Sequence, residues 1–167
     1  RKCVDAALEG AWVSASGAKV GEMEECIAKY VGMPQAVCCA SGSAALHLAA
    51  LTAGVKPGDE VIVPALTFIA SVNPTTRYVG AQPVFFGCDE TATMDPDAVE
   101  DFCANQCELK ADGLYNKRTG AKVSALVLVH VFGNMADMPR FLRLAKDYNP
   151  TLTADAAGAL GPKVPRG

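Results

Sequence analysis

Ala44-Ala45-Leu46-His47-Leu48-Ala49-Ala50-Leu51-Thr52-Ala53, then Gly54-Val55-Lys56-Pro57-Gly58-Asp59, then Glu60-Val61-Ile62-Val63-Pro64, is the stretch on which the fold turns. Its first ten residues are apolar nearly all round, which predicts a helix buried on most sides. The Gly and Pro that follow mark a tight turn, and the short β-branched run after it reads as a buried strand closed by Pro64. Upstream, Ala36-Val37-Cys38-Cys39-Ala40 reads as a further buried strand, ended by Ser41-Gly42-Ser43.

The same alternation continues outward. Thr67 or Ser71 is placed to cap a helix running to about Val79, with Pro74 kinking it or delaying its start. Gln82 to Phe86 is the next strand. Asp95-Pro96 joins an N-cap to a first-turn proline and opens a helix through about Cys107. Asp112-Gly113 and Arg118-Thr119-Gly120 bracket a polar hairpin-like insertion, at about 107–122. A strand over Val123 to Val131, a helix from about Met138 to Tyr148 and a strand over Thr151 to Ala154, ending at Asp155, complete the order. Strands that alternate with helices and are apolar almost throughout predict an α/β fold, a mostly parallel sheet with helices on both faces. In such sheets ligands sit outside the carboxyl ends of the strands.

Composition narrows the partners. The 167 residues are half hydrophobic and a fifth charged, with net charge -3 and no block of like charge, which leaves no footprint for nucleic acid or a membrane surface. No apolar run reaches the roughly 18 to 20 residues that span a bilayer. Seven cysteines without a secretion signal read as reduced thiols in the cytoplasm. Cys38 and Cys39 read as small hydrophobes of a strand. Cys103 and Cys107 share one face of the expected helix, with no second pair to complete a metal site. The absent initiating Met leads us to expect a processed, cloned or partial sequence.

Three strand-end motifs carry the chemistry, each beside a plainer reading. Ser41-Gly42-Ser43 opens a helix, where amides and dipole attract an anion; helix capping by Ser41 or Ser43 satisfies the same amides and is the commoner use. GxGxxG and GxxxxGK[ST] are both missing, so an anion held here is a cofactor phosphate or mononucleotide rather than a dinucleotide. Phe68 could stack on a planar ligand, but on residues alone it reads as a core side chain. Asp155, flanked by Ala154 and Ala156, suits a protonated pyridine nitrogen, or equally an N-cap. His130 reads as a hydrogen-bonded core histidine near the same rim, and His47 as structural.

Taken in order, these stretches resemble the DegT/DnrJ/StrS family of pyridoxal phosphate (PLP)-dependent sugar aminotransferases. The landmarks are Trp12-Val13-Ser14 with Gly17, Ser41 to Leu48, Gly54 to Pro64, Thr67 to Ala70, and Gly80 to Phe85. Met94-Asp95-Pro96, Val129 to Gly133, Asp137-Met138 and Asp155 to Gly161 follow. Cys107 to Leu109, with Tyr115 to Gly120, resembles the branch that aminates nucleotide-linked 4-keto-6-deoxy sugars towards legionaminic acid. The resemblance implies the large domain of a type I, aspartate aminotransferase-like fold, three-layer αβα and incomplete at its C-terminus. Residues 1–34 would lead into it and 35–167 would form its partial PLP-binding domain. It also implies Gly42 and Ser43 on the cofactor phosphate, Phe68 on the ring, and Asp155 on the pyridinium nitrogen. The partners implied are a nucleotide sugar, glutamate as amino donor, and a second copy of the chain in a homodimer.

The chain departs from that pattern in three places. Gly158 stands where the family has Gln or His near the cofactor's ring hydroxyl, and Ala154 stands where Glu is usual. The Schiff-base lysine is expected downstream, since Lys163 falls too early and between two prolines. Two other readings stay open: a non-catalytic binding or dimerisation remnant of the fold, and a PLP-dependent sugar dehydratase in which His replaces the lysine. Without the downstream strands, the expected strand at Ala36 to Ala40 would lie on an open edge, so poor folding or self-association of the chain alone is expected.

Overall fold

The computed structural model describes residues 1–10 and 17–159. Trp12-Val13-Ser14, Leu160-Gly161 and Lys163 lie outside the described residues. The chain divides into two compact units, Arg1–Ala40 and Ser41–Gly167. The first holds helices α1 (Lys2–Glu9) and α2 (Ala18–Val31), the latter ended by Gly32 in the left-handed conformation. Val37, Cys38 and Cys39 are exposed. The strand expected over Ala36 to Ala40 does not form. A strand persists only when a neighbour completes its ladder, and here the Cys38 amide donates instead to the Glu24 carboxylate at 2.8 Å.

The second unit is a six-stranded sheet between two helical layers. Its elements are α3 (Gly42–Thr52), β1 (Glu60–Pro64), β2 (Gln82–Phe86), α4 (Pro96–Asp101), β3 (Cys107–Lys110), β4 (Gly113–Asn116), β5 (Lys122–Val129), α5 (Met138–Tyr148) and β6 (Thr151–Asp155). β2, β1, β5 and β6 are parallel, whereas β3 and β4 form an antiparallel hairpin laid against the start of β5. β5 therefore changes partner along one edge, meeting β4 at Lys122 and Val123 and β6 from Ala125 onward.

Alternate side chains of the central strands feed two cores. Ile62, Leu126 and Leu128 face Val99, Phe102, Phe141 and Leu144 of the α4 and α5 side. Val61, Val63, Ala125 and Val127 face Ala50 of α3 and Val72, Val79 and Ala81. Burial of each large side chain is worth about 1.5–3 kcal/mol. α5 is the expected amphipathic helix, capped by the Asp137 carboxylate on the Arg140 amide at 3.1 Å. α3 is less buried than its composition suggests: Leu46 and Ala50 are enclosed while Leu48 and Leu51 are exposed, because one face alone meets the sheet.

Two expected helices are broken. Between β1 and β2 the chain makes two single 3-10 turns, Ile69–Ser71 and Arg77–Val79. Pro74 lacks the amide a continuous helix needs, and the Thr75 and Thr76 hydroxyls take carbonyls of Ser71 and Val72. After α4 the backbone widens into a π turn over Phe102–Gln106, and Cys107 already belongs to β3. Cys103 and Cys107 therefore do not share a helical face. Both are buried core thiols; burial pushes Cys103 up to about 12 and Cys107 up to about 11, so both behave as hydrophobes.

Candidate functional site

The parallel strands β1, β5 and β6 end together, and the residues just beyond them surround a cavity of about 390 Å³. The segment after β1 contributes Thr67, Phe68 and Ser71; the exit of β5 contributes His130 and Phe132; β6 contributes Asp155. Val129 pairs with Asp155 across the ladder, and the His130 amide donates to the Asp155 carbonyl at 3.0 Å, so the two strand ends are tied.

Asp155 is held at both oxygens. The Ser71 hydroxyl donates to Oδ2 at 2.6 Å and the Ala157 amide donates to Oδ1 at 3.1 Å. Each carboxylate oxygen accepts more than one hydrogen bond, so capacity remains on the cavity side. The N-cap reading of Asp155 is replaced by a tight turn over Ala156–Gly158, closed by the Ala159 amide on the Ala156 carbonyl.

Phe68 is 77% exposed and lines the cavity, which overturns its reading as a core side chain. It precedes a single 3-10 turn rather than sitting on a long helix, so its ring is left on the rim. Phe132, 86% exposed, lies on the same rim with φ 55°, a left-handed conformation that is strained for an aromatic residue. His130 is buried, and its Nδ1 accepts the Ala136 amide at 3.2 Å, which places the ring proton on Nε2. Burial pushes its pKa down, opposed by the negative charge of Asp155, and the ring is neutral at neutral pH. His47 bonds the Pro74 carbonyl through Nδ1 at 3.1 Å, a structural use.

Gly42 and Ser43 form the first turn of α3 and are not part of the cavity lining. Ser41 is the cap, its hydroxyl accepting the Ala44 amide at 3.2 Å. Nothing lies within 4 Å of where a Gly42 Cβ would stand, so the backbone there is open to a ligand. The sequence offers Ser71 only as a helix cap, and Phe132 only as part of a strand-end segment with no role of its own. Phe132 follows a strand end directly, which is a usable signal; Ser71 lies 84 residues from its partner, and no local pattern joins them.

An exposed aromatic wall, a carboxylate fixed at a strand end and an open helix N-terminus are the parts with which an α/β protein holds a flat, charged, phosphorylated ring. The chain belongs to the DegT/DnrJ/EryC1/StrS aminotransferase family, whose model matches residues 1–165. It is 38% identical over 154 residues to GDP-perosamine synthase of Caulobacter vibrioides, a match covering 92% of this chain and 37% of that protein. A DegT DnrJ EryC1 StrS aminotransferase from Brucella abortus superposes with TM-score 0.80 at 28% identity, over 93% of this chain and 39% of that one. A protein assigned as a sugar aminotransferase from Streptococcus pneumoniae, in its PLP form, gives TM-score 0.75 at 29% identity over 95% of this chain and 40% of its own. The fold is that of PLP-dependent aminotransferases, and the chain spans about two fifths of each relative's length. No helix among the described residues is long and apolar enough to cross a membrane.

Proposed function

We propose that this chain supplies the ring-binding half of a PLP site in an enzyme that transfers an amino group from glutamate to a nucleotide-linked 4-keto-6-deoxy sugar. One observation carries the reading: Asp155, fixed at both oxygens at the end of β6, faces a cavity walled by the exposed ring of Phe68. When bound, the cofactor supplies an electron sink that accepts and returns the amino group. The chain's own residues hold it. The Asp155 carboxylate accepts the ring nitrogen's proton in a charge-assisted hydrogen bond. Phe68 covers one ring face and excludes water there. The amides of Gly42 and Ser43, with the Ser43 hydroxyl, receive the phosphate. His130 lines the same cavity, with Nδ1 engaged by the Ala136 amide.

The departures at Ala154 and Gly158 remain within this reading. Gly158 packs against Gly133, whose Cβ would stand 3.3 Å from the Gly158 carbonyl, so the two glycines set how closely these turns approach. We assign no lysine of this chain to the Schiff base. In the same reading, residues 35–167 are the partial cofactor domain with 107–122 as its insertion, and the complete protein is a cytoplasmic homodimer.

The test is amination by the complete protein that contains this segment. With glutamate and a nucleotide-linked 4-keto-6-deoxy sugar, mass spectrometry should show the amino sugar with one 2-oxoglutarate released per turnover. Loss of water from the sugar without consumption of glutamate would instead identify a dehydratase. No change in the sugar would sink the enzyme reading.

A further inference from the structure

The turn that presents Phe68 to the cavity also buries Ser71, which is 1% exposed. Ser71 is fixed through its backbone at both ends: its amide donates to the Phe68 carbonyl at 2.9 Å, and its carbonyl accepts the Thr75 hydroxyl at 2.8 Å. Its hydroxyl is the free group, and that hydroxyl is constrained from two sides. The Thr67 hydroxyl donates to Ser71 Oγ at 3.0 Å, and an ionised carboxylate can only accept. The Ser71 proton therefore points at Asp155 Oδ2, 2.6 Å away, and the chain Thr67 to Ser71 to Asp155 has one direction.

We propose that Ser71, backed by Thr67, is a positioning residue that fixes the plane of the Asp155 carboxylate for the cofactor's ring nitrogen. This rests on the PLP reading above. With Oδ2 held by Ser71 and Oδ1 by the Ala157 amide, the carboxylate cannot rotate without breaking one of two hydrogen bonds. Because Phe68 caps the 3-10 turn that ends at Ser71, the aromatic wall and the carboxylate clamp are set by the same short piece of backbone. The polar partner of the ring nitrogen is thereby preorganised before the ring arrives.

The experiment titrates the complete protein that contains this segment, stripped of cofactor, with pyridoxamine 5'-phosphate, which binds without a Schiff base to lysine. Ser71→Ala should weaken binding about tenfold, the scale of one hydrogen bond to a charged group, and Ser71→Thr should restore it to within about twofold. Thr67→Val, one bond further out, should cost about two- to threefold and carries the same test if Ser71→Ala does not fold. The second readout is the ring nitrogen of 15N-labelled ligand, measured at about pH 8, where free carboxylates are ionised. The wild-type protein should give a pyridinium resonance, and Ser71→Ala should move it toward neutral pyridine, which a general loss of stability does not do. Unchanged affinity and an unchanged resonance in Ser71→Ala would overturn this role and leave the cofactor reading intact. A wild-type complete protein that does not bind the ligand would overturn both.

Discussion

Two carboxylates sit at opposite ends of the same sheet, and both are held by neighbouring hydroxyl and amide donors. Glu60, at the start of β1, is 6% exposed and takes the Asn116 amide on one oxygen and the Thr119 hydroxyl on the other, each at 2.8 Å. Asp155, at the end of β6, takes Ser71 and the Ala157 backbone, but a cavity lies beside it. Glu60 is enclosed by the hairpin it pins to the sheet. Asp155 is held with room left for a partner. The donors alone do not tell the two carboxylates apart; the open volume beside Asp155 does.

That contrast predicts opposite phenotypes. The largest effect should come from Asp155→Asn, which removes the charge proposed to meet the ring nitrogen. Pyridoxamine phosphate affinity should fall at least about thirtyfold, as for truncating one member of a hydrogen-bonded charge pair, while urea unfolding should lose only about the 1 kcal/mol of one hydrogen bond, since Asn keeps a single acceptor oxygen. Glu60→Ala should do the reverse. Leaving the buried Asn116 amide without an acceptor should cost about 2–3 kcal/mol in urea unfolding, with ligand affinity in the folded fraction unchanged.

Smaller effects concern the two buried thiols, of which Cys107 feels the charge of Glu60. Cys103 and Cys107 should resist a thiol reagent in the native chain while the exposed Cys26, Cys38, Cys39 and Cys88 react. Burial raises both core thiols from 9.0, to about 12 for Cys103 and about 11 for Cys107. Their contribution to stability is therefore full below about pH 9 and lost as pH climbs through about 11 and 12, because the unfolded chain releases those protons first. Glu60 adds to the Cys107 shift, so Glu60→Gln should let that thiol titrate lower, read by ultraviolet absorbance of the thiolate. An unmoved Cys107 would mean that the negative charge of Glu60 does not reach β3.

The sheet was legible because its strands are written in local signals: β-branched runs closed by Pro64 and by Asp155, and an Asp95-Pro96 start for α4. What failed was whatever depends on a partner distant in sequence. Ala36 to Ala40 has strand composition but no ladder, and the segment after Phe68 has helical composition but Pro74 and hydroxyls that compete for its carbonyls. Asp155 could be named as a candidate from its place at a strand end. Ser71 could not, since its hydrogen bond to Asp155 exists only once β1 and β6 flank β5 in the sheet.

The most direct measurement is a parallel titration of Asp155→Asn and Glu60→Gln with pyridoxamine 5'-phosphate, followed by ligand fluorescence. Asp155→Asn should lose at least about thirtyfold in affinity and Glu60→Gln should stay within about twofold of wild type. Equal affinities for the two variants would contradict the assignment of Asp155 as the carboxylate that meets the cofactor ring.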